Sequence, residues 1–232
     1  MACYKPLTAW YSKTINPTGK RNLVFSSKGS HEPEKPLEVP CGQCIGCRLE
    51  KSRQWAMRCL HEASLHEDNC FITLTFSPEE MAKRENEWSL DVREYQLFMK
   101  RLRKKFGNGI RFFHCGEYGD KHKRPHYHAI LFGLDFEDKK PWKEQGGNMY
   151  YTSETLEELW PYGFSTIGAM TFESAAYVAR YVLKKINGQE ALEHYNEINW
   201  ETGEITNSIK PEYTTMSRRP GIGKGWLDKF ES

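Results

Sequence analysis

The chain of 232 residues sets 33 Lys and Arg against 31 Asp and Glu, with 38% hydrophobic and 13% aromatic residues. This composition excludes a disordered chain, no apolar run nears the ~20 residues needed to span a bilayer, and a net charge of +2 does not by itself argue for a nucleic-acid partner. The length suits one large domain with attachments, and the polar start MACYKPLTAWYSKT lacks a secretory pattern, which points to a cytoplasmic protein.

The first motif in chain order is CGQCIGC, with Cys41, Cys44 and Cys47 at two-residue gaps. Such gaps let thiolates converge on one ion, whereas neighbouring disulfides would be strained. Cys3 is the expected fourth ligand and His61 the alternative, because Cys59 and Cys70 sit in apolar patterns. The ferredoxin continuation C-x3-C-P is absent, so a structural Zn²⁺ is expected, pinning the N-terminal segment to the following helix.

That helix, RLEKSRQWAMRCLHEASLH, is expected to turn Leu49, Arg53, Ala56, Leu60 and Ala63 to one side. FITLTF (71–76) reads as a buried strand. A second helix starts near Ser89 or Asp91, where Asp91 and Glu94 have capping-box spacing, and ends at Gly107; Val92, Tyr95, Met99, Leu102 and Phe106 form its inner face. IRFFHCGEY and HYHAILFGL follow as a hairpin. Residues 135–160 read as a polar excursion, GFSTIGAM (163–170) as a strand, and FESAAYVARYVLKKI (172–186) as a helix capped by Thr171. This order predicts an α+β fold with an antiparallel central sheet and flanking helices, close to a ferredoxin-like plan. The expected organisation is an N-terminal zinc-bearing extension (1–48), a core (49–188) and a C-terminal segment (189–232).

Basic residues cluster in KRLRKKF (100–106), which reads as a solvated helix face, and in KHKRPH (121–126). Lys121, Lys123, Arg124, Arg180, Lys185, Arg218 and Arg219 are the candidate DNA contacts. In MSRRPGIGKGW (216–226) the glycines would let amides approach a phosphate, although an ordinary glycine-rich turn fits equally.

On a strand, His126 and His128 project from one face while Tyr127 turns to the other. Two neutral imidazoles on a rigid strand suit a divalent ion. Glu117, across the hairpin, could add a carboxylate oxygen favoured by Mg²⁺ or Mn²⁺, with His114 as the alternative. Tyr177 and Tyr181 share a helix face near Lys184, Arg180 and Lys185. A metal that polarises a phosphate, a phenol that attacks it and a lysine that stabilises charge together form a phosphoryl-transfer site.

These residues resemble the HUH endonuclease superfamily. CGQCIGC, RCLHEAS, CFITLTF, GEYGDKHKRPHYH, YVARYVLKK and MSRRPGIG are together similar to the replication initiators of gokushovirus-type microviruses. The resemblance implies rolling-circle initiation on single-stranded DNA at a phage replication origin. One strand is nicked, its 5′ end is kept as phosphotyrosine and a 3′-hydroxyl is freed for host replication proteins, in the cytoplasm of the infected bacterium. It further implies His126, His128 and Glu117 as metal ligands and Tyr177 and Tyr181 as nucleophiles. Two rival readings remain, a non-catalytic single-strand binder and a zinc-stabilised regulatory DNA-binding protein.

Overall fold

The computed structural model describes residues 3–84, 88–119, 122–180, 190–198, 201–202 and 204–231. It divides into two compact units, Met1–Lys51 and Ser52–Ser232.

The first unit holds three strands, β1 (Leu7–Ile15), β2 (Arg21–Val24) and β3 (Leu37–Val39), in an antiparallel sheet ordered β2-β1-β3. Its β1–β2 turn is built by Asn16, whose side-chain oxygen accepts from the amides of Thr18 and Lys20 at 3.1 and 3.0 Å. Hydrophobic alternation gives no sign of this sheet, since β1 buries only Ala9 and Ser12. Helix α1 (Ile45–Ala63) begins in this unit.

The second unit continues with β4 (Asn69–Leu74), α2 (Pro78–Ala82), α3 (Val92–Phe106), β5 (Arg111–Tyr118) and β6 (Pro125–Phe132). Next come β7 (Lys140–Gln145), β8 (Asn148–Thr152), α4 (Glu154–Leu159), β9 (Ser165–Ala169) and α5 (Phe172–Arg180). The chain closes with α6 (Glu190–Tyr195), β10 (Asn196–Ile198), β11 (Ile205–Ser208), β12 (Tyr213–Met216) and α7 (Lys224–Phe230).

Seven antiparallel strands form the main sheet in the order β12-β5-β6-β4-β9-β8-β7. Its four central strands, taken in chain order, lie 2-3-1-4 with helices in both crossovers, the split β-α-β plan expected from the sequence. The second crossover helix is α4 inside residues 135–160, which were expected to be irregular, and the tyrosine helix α5 follows the last core strand.

Alternation along the strands divides the core in two. Ile72, Leu74, Tyr127, Ala129 and Leu131 face α3 and α4, joined by Tyr95, Phe98, Leu102 and Trp160. Phe71, Phe113, Cys115, Ile130 and Phe132 face the other way, against Ala56 and Cys59 of α1 and Ala175, Val178 and Ala179 of α5. Two expected inward positions are corrected: Leu49 is 52% and Phe106 40% exposed. Helix α1 instead buries Ser52, Ala56, Cys59 and Glu62, a stripe rotated from the expected one.

Asp91 is the N-cap of α3, its side chain accepting from the Arg93 amide. Glu94 does not close a capping box; Arg84 and the Tyr127 hydroxyl grip it. Tyr127 Oη also donates to the Asp91 carbonyl at 2.9 Å and accepts from its amide at 3.1 Å. The residue between the two histidines therefore anchors the helix on the opposite face.

After β4 the chain is clamped to residues 162–164 by Thr75 N→Phe164 O and Ser77 N→Tyr162 O, both 2.9 Å. Gly163 sits inside this clamp, where a Cβ would fall 2.4 Å from Ser77 N and 2.6 Å from Thr75 O. Both obstacles are backbone and cannot swing aside. Gly163→Ala is expected to destabilise the fold by about 2–4 kcal/mol, read as a lower urea midpoint. An unchanged midpoint would show that the clamp opens at little cost.

Candidate metal centres and active-site cleft

Two groups of side chains converge as metal ligands would. In the first unit the sulfurs of Cys3, Cys41, Cys44 and Cys47 lie within 4.8 Å of one another. Backbone amides point at them: Cys41 N→Cys3 Sγ and Cys44 N→Cys41 Sγ are 3.3 Å, and Tyr4 N→Cys44 Sγ is 3.4 Å. Amides of Cys47 and Tyr4 lower the Cys44 pKa to about 6, and amides of Cys44 and Gln43 lower that of Cys41. Desolvation pushes Cys47 up to about 12. A site that favours thiolate on some sulfurs and crowds four together fits a soft divalent cation. His61, the alternative ligand, stacks on Trp226 at 3.8 Å and is no part of the cluster.

The second group lies on the α1/α5 face of the main sheet. The β5–β6 register sets Glu117 opposite His126 and Cys115 opposite His128, and the β4–β6 register sets Thr73 opposite His128. Side chains of one parity on three strands therefore meet at one end of this face. Glu117 Oε1 is 3.0 Å from His126 Nε2 and 2.7 Å from His128 Nε2. Tyr177, on α5, donates its hydroxyl to the same oxygen at 2.9 Å. Glu117 and His128 are buried.

The second nitrogen of each ring fits a ligand role. His126 Nδ1 lies 3.0 Å from the Arg124 carbonyl, and His128 Nδ1 lies 2.9 Å from Thr73 Oγ1. A carbonyl only accepts, so neutral His126 carries its proton on Nδ1 and turns the Nε2 lone pair toward Glu117. Two acceptors at 3.0 Å need positive charge between them, and a donor set of two imidazoles and a carboxylate fits a divalent cation. Phe71 walls the site, stacked on His128 at 5.5 Å and edge-on to Tyr177 at 6.4 Å.

His114, the alternative ligand, has the opposite parity. It is buried against Tyr95 at 3.4 Å, bonded through Nδ1 to Thr215 Oγ1 at 2.9 Å, and held well below the usual imidazole range by burial, then by the charge of His128. Thr73 and Phe71 were not anticipated in the site, although alternation in FITLTF already sets them apart from Ile72 and Leu74.

A cleft of about 360 Å³ opens beside Tyr177 and His128, lined also by Phe71, Tyr150 and Arg180. The Arg180 guanidinium lies 5.8 Å from the Tyr177 ring centre. Lys123, Arg124, Arg218 and Arg219 are exposed. Tyr181, Lys184, Lys185 and Lys121 lie outside the described residues.

The glycine-rich loop has a structural engagement. Gly223 donates its amide to Glu62 Oε2 at 2.7 Å, Arg111 pairs with the other Glu62 oxygen, and Arg111 Nη2 reaches the Pro220 carbonyl at 2.8 Å. That amide is committed to buried Glu62. Part of the KRLRKKF run is likewise spent on structure, with Arg101 donating to the Leu159 carbonyl and Lys105 paired to Glu158 at 2.9 Å.

Among the described residues, no helix is long and apolar enough to cross a membrane. No solved structure matches the chain. A family model described as replication-associated protein ORF2 matches residues 69–186, which include Glu117, His126, His128 and Tyr177. The chain is 35% identical over 239 residues to replication-associated protein VP4 of Bdellovibrio phage phiMH2K, covering 99% of itself and 68% of that relative. It is 36% identical to replication-associated protein ORF2 of Spiroplasma virus 4, covering 80% of itself and 62% of the relative. To replication-associated protein ORF4 of Chlamydia phage 1 it is 33% identical, covering 70% of itself and 42% of the relative. With its sheet core and converging side chains inside the matched segment, the chain belongs to the ORF2 family of replication-associated proteins.

Proposed function

We infer that the chain is a rolling-circle replication initiator of the HUH type, a metal-dependent single-stranded DNA endonuclease and strand-transferase. The observation that carries this reading is the Tyr177 hydroxyl, which donates at 2.9 Å to the carboxylate oxygen on which both imidazoles converge. A phenol aimed at a cation site has the placement needed to attack a phosphodiester.

In the proposed step Tyr177 Oη bonds to phosphorus and the bond from phosphorus to the 3′ oxygen breaks. The products are a 5′-phosphotyrosine and, after protonation, a free 3′-hydroxyl. Glu117 Oε1 is placed to accept the phenolic proton. Mg²⁺ or Mn²⁺ held by Glu117, His126 and His128 would polarise the phosphate and offset its developing charge. Arg180 lies beside the phenol, and Lys184 and Tyr181 are assigned to charge stabilisation and to the second nucleophile. Lys121, Lys123, Arg124, Lys185, Arg218 and Arg219 are assigned to the DNA backbone.

The proposed organisation is a catalytic core at 49–188, an extension at 1–48 carrying structural Zn²⁺, and a C-terminal segment at 189–232. The substrate is single-stranded DNA at a phage origin in the infected bacterium's cytoplasm, where host replication proteins extend the 3′-hydroxyl. Incubation with single-stranded origin DNA and Mn²⁺ is expected to give a protein–DNA adduct that survives denaturation. Binding without an adduct, across several metals and origin fragments, would favour a non-catalytic single-strand binder.

For the cysteine centre, elemental analysis of the parent chain is expected to give one zinc, and Cys44→Ser is expected to lose most of it. Unchanged zinc content in the variant would remove the assignment.

A further inference from the structure

We propose that the outer half of the site face, from Tyr177 across Tyr150 to Trp142 and Phe164, is a track on which single-stranded DNA stacks the bases flanking the scissile phosphate. This deepens the nickase reading and takes its relation to the scissile phosphate from it. The residues belong largely to the β7–β8 hairpin, which forms the sheet edge beyond β9.

Continuity is the first observation. The cleft beside Tyr177 and a second cleft of about 260 Å³ lined by Trp142, Lys143 and Phe164 share Thr73 and Tyr150. Register explains it: Phe71 pairs with Gly168, Thr73 with Thr166 and Tyr151 with Ile167. Ile167 and Tyr151 face the α3/α4 core, so Tyr150 faces the catalytic side. A Cβ on Gly168 would lie 3.6 Å from the Phe71 ring and 3.7 Å from that of Tyr150, so glycine keeps the floor between the two rings low.

The second observation is chemical. Trp142 and Phe164 are 47% and 43% exposed with ring centres 4.7 Å apart, and among the described residues no helix packs on them. Lys143 Nζ sits 4.5 Å from the Trp142 ring centre and 5.8 Å from that of Tyr150. Aromatic platforms interleaved with a cation are what an unpaired strand requires, because each base offers a π-face and each phosphate a negative charge. Duplex DNA keeps those faces stacked internally and cannot use them.

The test uses the full chain with metal chelated, so that binding is read without cleavage, and a fluorescein-labelled thymidine oligomer of about 15 nucleotides. Trp142→Ala combined with Phe164→Ala is expected to weaken binding about tenfold or more, and Trp142→Tyr to retain most of the affinity. Lys143→Ala is expected to flatten the dependence of log affinity on log salt by about 0.7. Unchanged affinity in the double variant, with its thermal midpoint preserved, would overturn the track. An equal loss for a blunt duplex or an RNA oligomer would overturn its assignment to single-stranded DNA. If the parent forms the covalent adduct but the double variant binds normally, the nickase survives and the track falls. If the parent forms no adduct but binding depends on Trp142, the track survives and the nickase falls.

Discussion

His128→Ala is expected to lower cleavage of single-stranded origin DNA by about a thousandfold or more, while DNA affinity changes by less than about threefold. The imidazole lies 2.7 Å from Glu117 Oε1 with its far nitrogen on Thr73, so no neighbour can take its position without moving the strand. Affinity is spared because the exposed cations and the hairpin aromatics are untouched. His126→Ala should follow the same pattern, since its ring closes the other side of the same carboxylate. Single-turnover cleavage and metal-free binding separate the two effects, with circular dichroism to confirm folding. Normal cleavage by both variants would sink the metal assignment.

The second large effect concerns the nucleophiles. Tyr177→Phe and Tyr181→Phe are each expected to leave some initial nicking and to impair strand transfer and circle release, and the double variant to form no adduct. The reason lies in the cycle: the regenerated origin must be cut while the first 5′ end is still covalently held. Tyr177 lies 2.9 Å from the carboxylate. Residues four apart on a helix are ~6 Å apart at Cβ, so a second phenol there could take turns at one phosphate. Peptide mapping decides the matter. An adduct on Tyr118 or Tyr127 would overturn the assignment; Tyr127 is a poor rival because burial, then Glu94, pushes its phenol far above the usual range.

The catalytic face was readable because a strand has a fixed period. Alternation alone puts His126 and His128 together and Tyr127 opposite, and the same parity sets His114 apart from Glu117, a distinction that could have removed His114 as a ligand. The cysteine spacing announced its cluster directly. Much of the rest was hidden for physical reasons. Every residue of β7 is exposed, so the strand carries no hydrophobic alternation, and α4 is only six residues long. In β12, YTTM is half-buried throughout and gives no periodic signal. The loop at Gly223 looked suited to phosphate because glycine spacing cannot reveal that Glu62, 161 residues earlier, takes its amide.

The shared parity of Thr73, Glu117, His126 and His128 also limits how such proteins can diverge. A one-residue insertion within β6 between the two imidazoles would turn one of them into the opposite core and break the Tyr127 anchor on α3. Length changes in these strands should therefore survive in lineages only in pairs or at the strand ends, while the loops between them drift freely.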